Sequence, residues 1–303
     1  AAKDMDLLRN ILGEPKINFL GKSYGTYLGS IYISLFPNRV GRFVLDGAVD
    51  PNISLRDQNL NQAAGFEKAL DDYLKVNKEF TKSDIQKFIE TSGKNPIADK
   101  QGRKLSRSLL ITAIAASLYD NSLGWQTLKN GLHQGMKEGN PKLLFLLADA
   151  YNNRDSNGHY YNNENDIGIV VNCLDWSDRP TPKQLFDDAP NFVKASPTFG
   201  TYIAYSELGC ATWPVPPLQA NLPFQNITSP PFVIVGVTKD PATPYKWAKN
   251  LNNEFPNSVL LTLDGEGHTG YNRGNSCVDN NVDSFFLRGI LPKIGLICGK
   301  VGN

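Results

Sequence analysis

Apolar residues follow two rhythms along this chain. Near the N-terminus, and again after residue 231, they form short continuous runs. Between those regions they recur at helical spacing. Residues 16–20 (KINFL), 40–45 (VGRFVL), 232–237 (FVIVGV) and 259–263 (VLLTL) are runs of strand length with little alternation, the pattern of strands covered by helices on both faces. Residues 26–36 (TYLGSIYISLF), 244–255 and 277–288 read as helices following three of them. From Pro51 the character changes. Residues 60–76, 83–90, 106–119, 124–136, 141–152 and 181–196 predict helices, with Ser83 and Ser106 at N-cap positions and Pro141 in a first turn. The Asn-rich stretch 152–165 predicts an exposed loop, and the proline-rich stretch 214–231 ends the helical region. The expectation is an α/β core built from residues 1–50 and 215–303, interrupted by a mainly helical insertion over 51–214.

Composition narrows the function classes. Hydrophobic content of 41% and charged content of 20% over 303 residues are ordinary for a globular protein able to bury a core. A net charge of +1 gives no footing for a nucleic-acid or anionic-membrane partner. The most apolar run, residues 109–118, falls far short of the ~18 residues of a membrane span. Residues 4–12 read as the end of a helix rather than as a leader. Cys173, Cys210, Cys277 and Cys298 show no C-x-x-C spacing, which argues against zinc and against a thioredoxin-type site. Their even number fits two disulfides in an oxidising compartment, with neighbours paired: Cys173 with Cys210 and Cys277 with Cys298. Three connectivities are open, and four free thiols in a cytosolic enzyme are the alternative. Neither metal nor cofactor is expected.

The chemistry starts at Gly21-Lys22-Ser23-Tyr24-Gly25, a G-x-S-x-G pattern between a strand and a helix. That context is a nucleophile elbow, a tight turn holding the serine hydroxyl at the C-terminal edge of a sheet, with glycines expected at both flanks because space is short. A serine hydroxyl needs a base. Of the three histidines, His133 sits in a predicted helix and His159 in the Asn-rich loop; His268 follows the strand 259–263 in a Gly-lined loop and is the expected base. The acid should follow the preceding strand, which points to Asp240, with Asp46 at the end of the strand after the elbow as rival. Asp264 is too close to His268 in sequence. The order Ser23, Asp240, His268 is that of α/β hydrolases. One oxyanion donor is the backbone N–H of Tyr24. The other normally comes from a loop upstream, where this chain has only 22 residues before Ser23. The chain therefore reads as the C-terminal part of a longer protein, with N-terminal strands of the sheet missing.

The wording around these residues, DMDLLRNILGEPKINFLGKSYGTYLGSIYISLFPNRVGRFVLDGAVDP, together with Asp240-Pro241-Ala242-Thr243-Pro244, Gly265-Glu266-Gly267-His268-Thr269 and the Cys277–Cys298 end region, resembles secreted tripeptidyl aminopeptidases of actinomycete type. These belong to the prolyl-aminopeptidase clan of α/β hydrolases. The resemblance is looser through Cys173-Leu174-Asp175 and Cys210-Ala211-Thr212-Trp213-Pro214. It implies an α/β-hydrolase fold with a large helical lid, a secreted or cell-wall-associated enzyme, and a peptide substrate from which a short N-terminal peptide, a tripeptide by family habit, is released. It further implies that the lid reads the free α-ammonium through carboxylates, for which Asp175 and Glu207 are candidates, with Trp176 and Trp213 as pocket walls. All four also read as plain surface or packing residues. An esterase or lipase on the same triad, and a non-catalytic truncated remnant, are the rival readings.

Overall fold

A computed structural model of the chain describes residues 1–217 and 227–299, so part of the proline-rich stretch lies outside the described residues. The chain divides into two compact units, one formed by Ala1–Ile53 with Ala220–Asn303 and the other by Ser54–Gln219.

The first unit is a five-stranded parallel sheet in the order β1-β2-β3-β4-β5. Helix α1 (Ala2–Ile11) leads into β1 (Ile17–Lys22), α2 (Tyr24–Leu35) and β2 (Val40–Asp46). The central strands alternate between two apolar faces, which is why their sequence shows no polar face at all. Phe43, Leu45, Phe232 and Ile234 pack with Tyr32 and Ile33 on one side. Val44, Val233, Val235, Leu261 and Leu263 pack with Val278, Val282 and Phe285 on the other. Gly29 marks the close approach of α2 to the sheet, where a Cβ would lie 2.6 Å from Leu45 Cδ2 and make that side chain shift. Among the described residues β1 is an edge, and its apolar sequence is only partly covered: Leu20 is 40% exposed.

The second unit is helical. It holds α3 (Leu55–Val76), α4 (Lys82–Lys94), α5 (Arg107–Ser117), α6 (Leu123–Lys137), α7 (Lys142–Tyr151), α8 (Glu164–Asp175), α9 (Pro182–Ala195), and two single turns, α10 (Gly200–Ile203) and α11 (Leu208–Ala211). Ser106 caps α5 by accepting from the Leu109 N–H at 3.3 Å. Helix α4, in contrast, is capped by Thr81 in a reciprocal box with Asp84, so Ser83 lies inside the helix and not at its cap. Pro141 stands at the N-cap of α7, one position before the first turn. The Asn-rich stretch is exposed, but its end is already the start of α8.

Past the insertion, β3 (Phe232–Lys239), α12 (Tyr245–Glu254), β4 (Ser258–Glu266), α13 (Ser276–Arg288) and β5 (Ile297–Cys298) complete the sheet. Helix α13 ends at Gly289 in the left-handed conformation, the usual stop for a helix. The disulfides join Cys173 to Cys210 and Cys277 to Cys298, and the described residues include no free cysteine. The second ties β5 to α13. No helix among the described residues is long and apolar enough to cross a membrane. This is the α/β-hydrolase architecture with a large helical insertion.

Candidate active site

Every residue of the expected triad stands at or just past the C-terminal end of a parallel strand. Ser23 joins β1 to α2 at φ 55°, ψ −121°, a backbone state that a side-chain-bearing residue adopts only under constraint. Its N–H donates to the Asp46 carbonyl at 3.0 Å, and its carbonyl accepts from the Thr26 N–H and hydroxyl at 2.9 and 2.6 Å. The Thr26 hydroxyl in turn accepts from the Val49 N–H at 2.8 Å. The elbow is thus tied to the end of β2 on both sides. Gly21 is demanded sterically, because a Cβ would stand 2.4 Å from the Gly25 carbonyl oxygen. Gly25 differs from expectation: a Cβ there meets nothing within 4 Å, so crowding explains one flanking glycine and not the other. Tyr24 opens α2, which places its N–H at the positive end of the helix.

His268 and Asp240 meet. The imidazole Nδ1 lies 2.9 Å from Asp240 Oδ2 and 3.0 Å from Oδ1, with both side chains buried. Asp240 also accepts from the N–H groups of Ala242 (2.9 Å), Thr243 (2.8 Å) and Thr269 (3.2 Å), and from the Thr243 hydroxyl at 2.9 Å. Donors thus reach both oxygens, an arrangement that a carboxylate satisfies. Nδ1 donates to it, which assigns the tautomer and leaves Nε2 as the basic nitrogen. Gly47, at φ +69°, gives the ring its room: a Cβ at that position would stand 3.2 Å from His268 Cε1. The imidazole therefore lies against the end of β2, the same strand end that holds the Ser23 N–H.

Asp46, the rival acid, is spoken for. It is fully buried, and its carboxylate accepts from the backbone N–H groups of Gly270 (2.8 Å) and Tyr271 (2.9 Å). Burial pushes its carboxyl up to about 6, against the pull of those two N–H groups, Lys22 and His268. Asp264 accepts from the Thr238 hydroxyl at 2.8 Å. His133 pairs with Glu79 at 2.5 Å and His159 with Asp155 at 3.4 Å, both in the helical unit. Lys239 and Glu266, across from each other at the ends of β3 and β4, pair at 2.7 Å and brace the two loops that carry Asp240 and His268.

With this geometry in place, the comparisons are specific. The profile of the TAP-like protein family matches residues 196–298. The chain is 36% identical to serine protease Hip1 of Mycobacterium tuberculosis, over 98% of this chain and 60% of that protein. Residues 196–298 thus match the TAP-like family, and the similarity to its relatives runs along nearly the whole chain. Carboxylesterase B of Mycobacterium tuberculosis is 33% identical over 98% of this chain and 59% of its own length. Tripeptidyl aminopeptidase of Streptomyces lividans is 30% identical over 95% and 55%. The chain spans somewhat under two thirds of the length of the relatives it matches.

The helical unit holds a polar cavity of about 380 Å³ lined by Arg56, Asp178, Arg179, Gln184, Asp188 and Glu207, with Leu185 and Pro180 completing the wall. Glu207 is buried there. Its Oε1 accepts from Arg56 Nη1 (3.3 Å) and Asn59 Nδ2 (3.2 Å), while Oε2 has no hydrogen-bond partner among the described residues. Burial raises the Glu207 carboxyl above its ordinary range. Arg56 also binds Asp188 at 2.7 Å, and Asp178 accepts from the Leu55 N–H at 3.1 Å. The structure places Asp175 at the end of α8, the buried Trp176 at its C-cap and the half-buried Trp213 just past α11. None of these three lines the cavity. Sequence reading missed Arg56 and Asp188, whose helical spacing looks like an ordinary solvated face. Among the described residues no cluster of His, Cys, Asp and Glu has the makings of a metal site.

Proposed function

We propose that this chain carries the catalytic centre of a serine exopeptidase that releases short N-terminal peptides, tripeptides foremost. The observation that carries the proposal is the buried His268–Asp240 pair at the ends of β4 and β3, with a conformationally constrained Ser23 two strands away in the same sheet. In this reading Ser23 Oγ attacks the scissile carbonyl as His268 Nε2 takes its proton. Asp240 holds the ring and stabilises the imidazolium. The N–H of Tyr24 faces the developing oxyanion. His268 then protonates the leaving amine, and water hydrolyses the acyl-enzyme.

The relatives described as serine protease Hip1 and tripeptidyl aminopeptidase support a peptide substrate. Recognition of the free N-terminus is assigned to a carboxylate of the helical unit. Glu207, buried with one oxygen lacking a donor, is the carboxylate best suited to an ammonium, since a buried charge needs a partner. Asp175, Trp176 and Trp213 are secondary candidates. An ester substrate is the second reading, favoured by the relative described as carboxylesterase B. The two disulfides support a secreted or cell-wall-associated protein. The partly exposed apolar edge at β1 supports an N-terminal segment of the same protein pairing there.

The test uses full-length protein and one fluorogenic tripeptide amide, with its N-terminus free or acetylated. The expected result is a collapse of kcat/KM on acetylation, with Glu207→Gln losing most of the preference for the free amine. Equal turnover of both forms assigns Ser23 to an endopeptidase or a general esterase.

A further inference from the structure

Asp46 does two things at once. Its backbone carbonyl accepts from the N–H of Ser23 at 3.0 Å, and its carboxylate accepts from the N–H groups of Gly270 and Tyr271, the second and third residues after His268. Lys22, the residue before the nucleophile, closes the same circuit. Its ammonium donates to the Tyr271 carbonyl at 2.6 Å and lies 4.0 Å from Asp46 Oδ2. The loop that carries the base is thus pinned to the elbow that carries the nucleophile by one buried carboxylate and one half-buried ammonium.

We propose that Asp46, assisted by Lys22, is the positioning residue that keeps the His268 loop in reactive register with Ser23. This rests on the reading of Ser23, His268 and Asp240 as the catalytic triad. A carboxyl without its charge accepts the two loop N–H groups poorly, and its own O–H would need an acceptor in a buried site that offers donors. The groups facing Asp46 are Lys22 from β1, His268 and Tyr271 from the loop after β4, and Asp240 from the β3 side through the Thr269 N–H. Asp283 of α13 accepts a hydrogen bond from the Tyr271 hydroxyl at 2.7 Å and stands one step further out. Burial has already moved the Asp46 carboxyl up to about 6. The acid limb of the rate should therefore include the protonation of Asp46.

The experiment compares full-length wild type, Asp46→Asn, Lys22→Met and Ser23→Ala on the same tripeptide amide across pH 4.5–8. Asp46→Asn is expected to lower plateau kcat about tenfold with KM nearly unchanged, the cost of a fraction of an ångström of misplacement. Its acid limb should fall with the slope of one proton where wild type falls with two. Lys22→Met should lower kcat about threefold and keep the two-proton limb. Wild-type kcat and a two-proton limb in Asp46→Asn overturn the proposal while leaving the triad intact. Should Asp46→Asn fail to fold, wild-type kcat in Lys22→Met overturns it. Undiminished turnover by Ser23→Ala removes the triad reading itself, and this proposal with it.

Discussion

Gly47 offers a sharp test of how closely His268 is held. The substitution is Gly47→Ala. At φ +69° an alanine costs about 1–2 kcal/mol of backbone strain by itself. Its Cβ would also stand 3.0 Å from Thr269 Cγ2, 3.1 Å from Thr243 Oγ1 and 3.2 Å from His268 Cε1. Moving Cε1 out to ordinary carbon contact near 3.6 Å takes a shift of about 0.4 Å. At about a hundredfold per ångström of misplacement, kcat falls about sixfold, and further if the displaced threonines loosen Asp240. Gly13→Ala is the control. It sits at φ +70° with nothing within 4 Å of a Cβ, so it carries the strain without the crowding. Urea unfolding should show both variants destabilised by the shared strain, and Gly47→Ala further by its crowding. Turnover, and fluorophosphonate labelling of Ser23, should slow only in Gly47→Ala. Equal activity of the two alanine variants would refute the claim that the ring rests against this strand end.

The remaining expectations concern stability. The Asp46 carboxyl titrates near 6 in the folded protein against 3.8 for the free group, so the native state binds that proton more tightly than the unfolded state. Its stabilising contribution is full below pH 3.8 and is lost as pH rises through about 6, a change of about 3 kcal/mol. Urea unfolding at pH 4.5, 5.5 and 7 should show that this slope vanishes in Asp46→Asn; parallel curves for variant and wild type would remove the basis for it. Replacing Cys277 and Cys298 by serine opens a loop with a separation of 21 residues and should cost about 3 kcal/mol. The same change at Cys173 and Cys210, separated by 37, should cost slightly more, and an unmoved urea midpoint in either double variant counts against that bond as a stabilising tie.

What the chain disclosed beforehand depended on range. The central strands were legible because burial on both faces leaves uninterrupted apolar runs such as FVIVGV. The elbow was legible because all its determinants lie within a few residues. Strand β5 was not, since two residues have no periodicity to read. Helix α8 was hidden behind its Asn-rich approach, and the cap of α4 was misplaced because Thr81 and Ser83 are chemically alike two positions apart. The cavity around Glu207 was only half visible. Glu207 drew attention through its cysteine neighbour, but Arg56 is remote in sequence and nothing local marks it. Asp46 is the most instructive case. Its position suggested a catalytic acid, and only the three-dimensional pairing with Gly270 and Tyr271 shows the carboxylate engaged with the histidine loop instead.

The interruption of the sheet also sets a timetable for the chain's birth. Residues 44–46 of β2 pair with 233–235 of β3, although the whole helical unit intervenes. That unit is continuous in sequence and holds both cysteines of its disulfide, so all of its residues have been made before β3 exists. At about 5–20 residues per second of synthesis, β2 waits on the order of 10–40 s for its neighbour. During that interval Phe43, Val44 and Leu45, all fully buried in the finished sheet, lack the partner strand that covers them. A nascent chain paused there is the form most in need of a chaperone, and slow codons within the insertion would prolong its exposure.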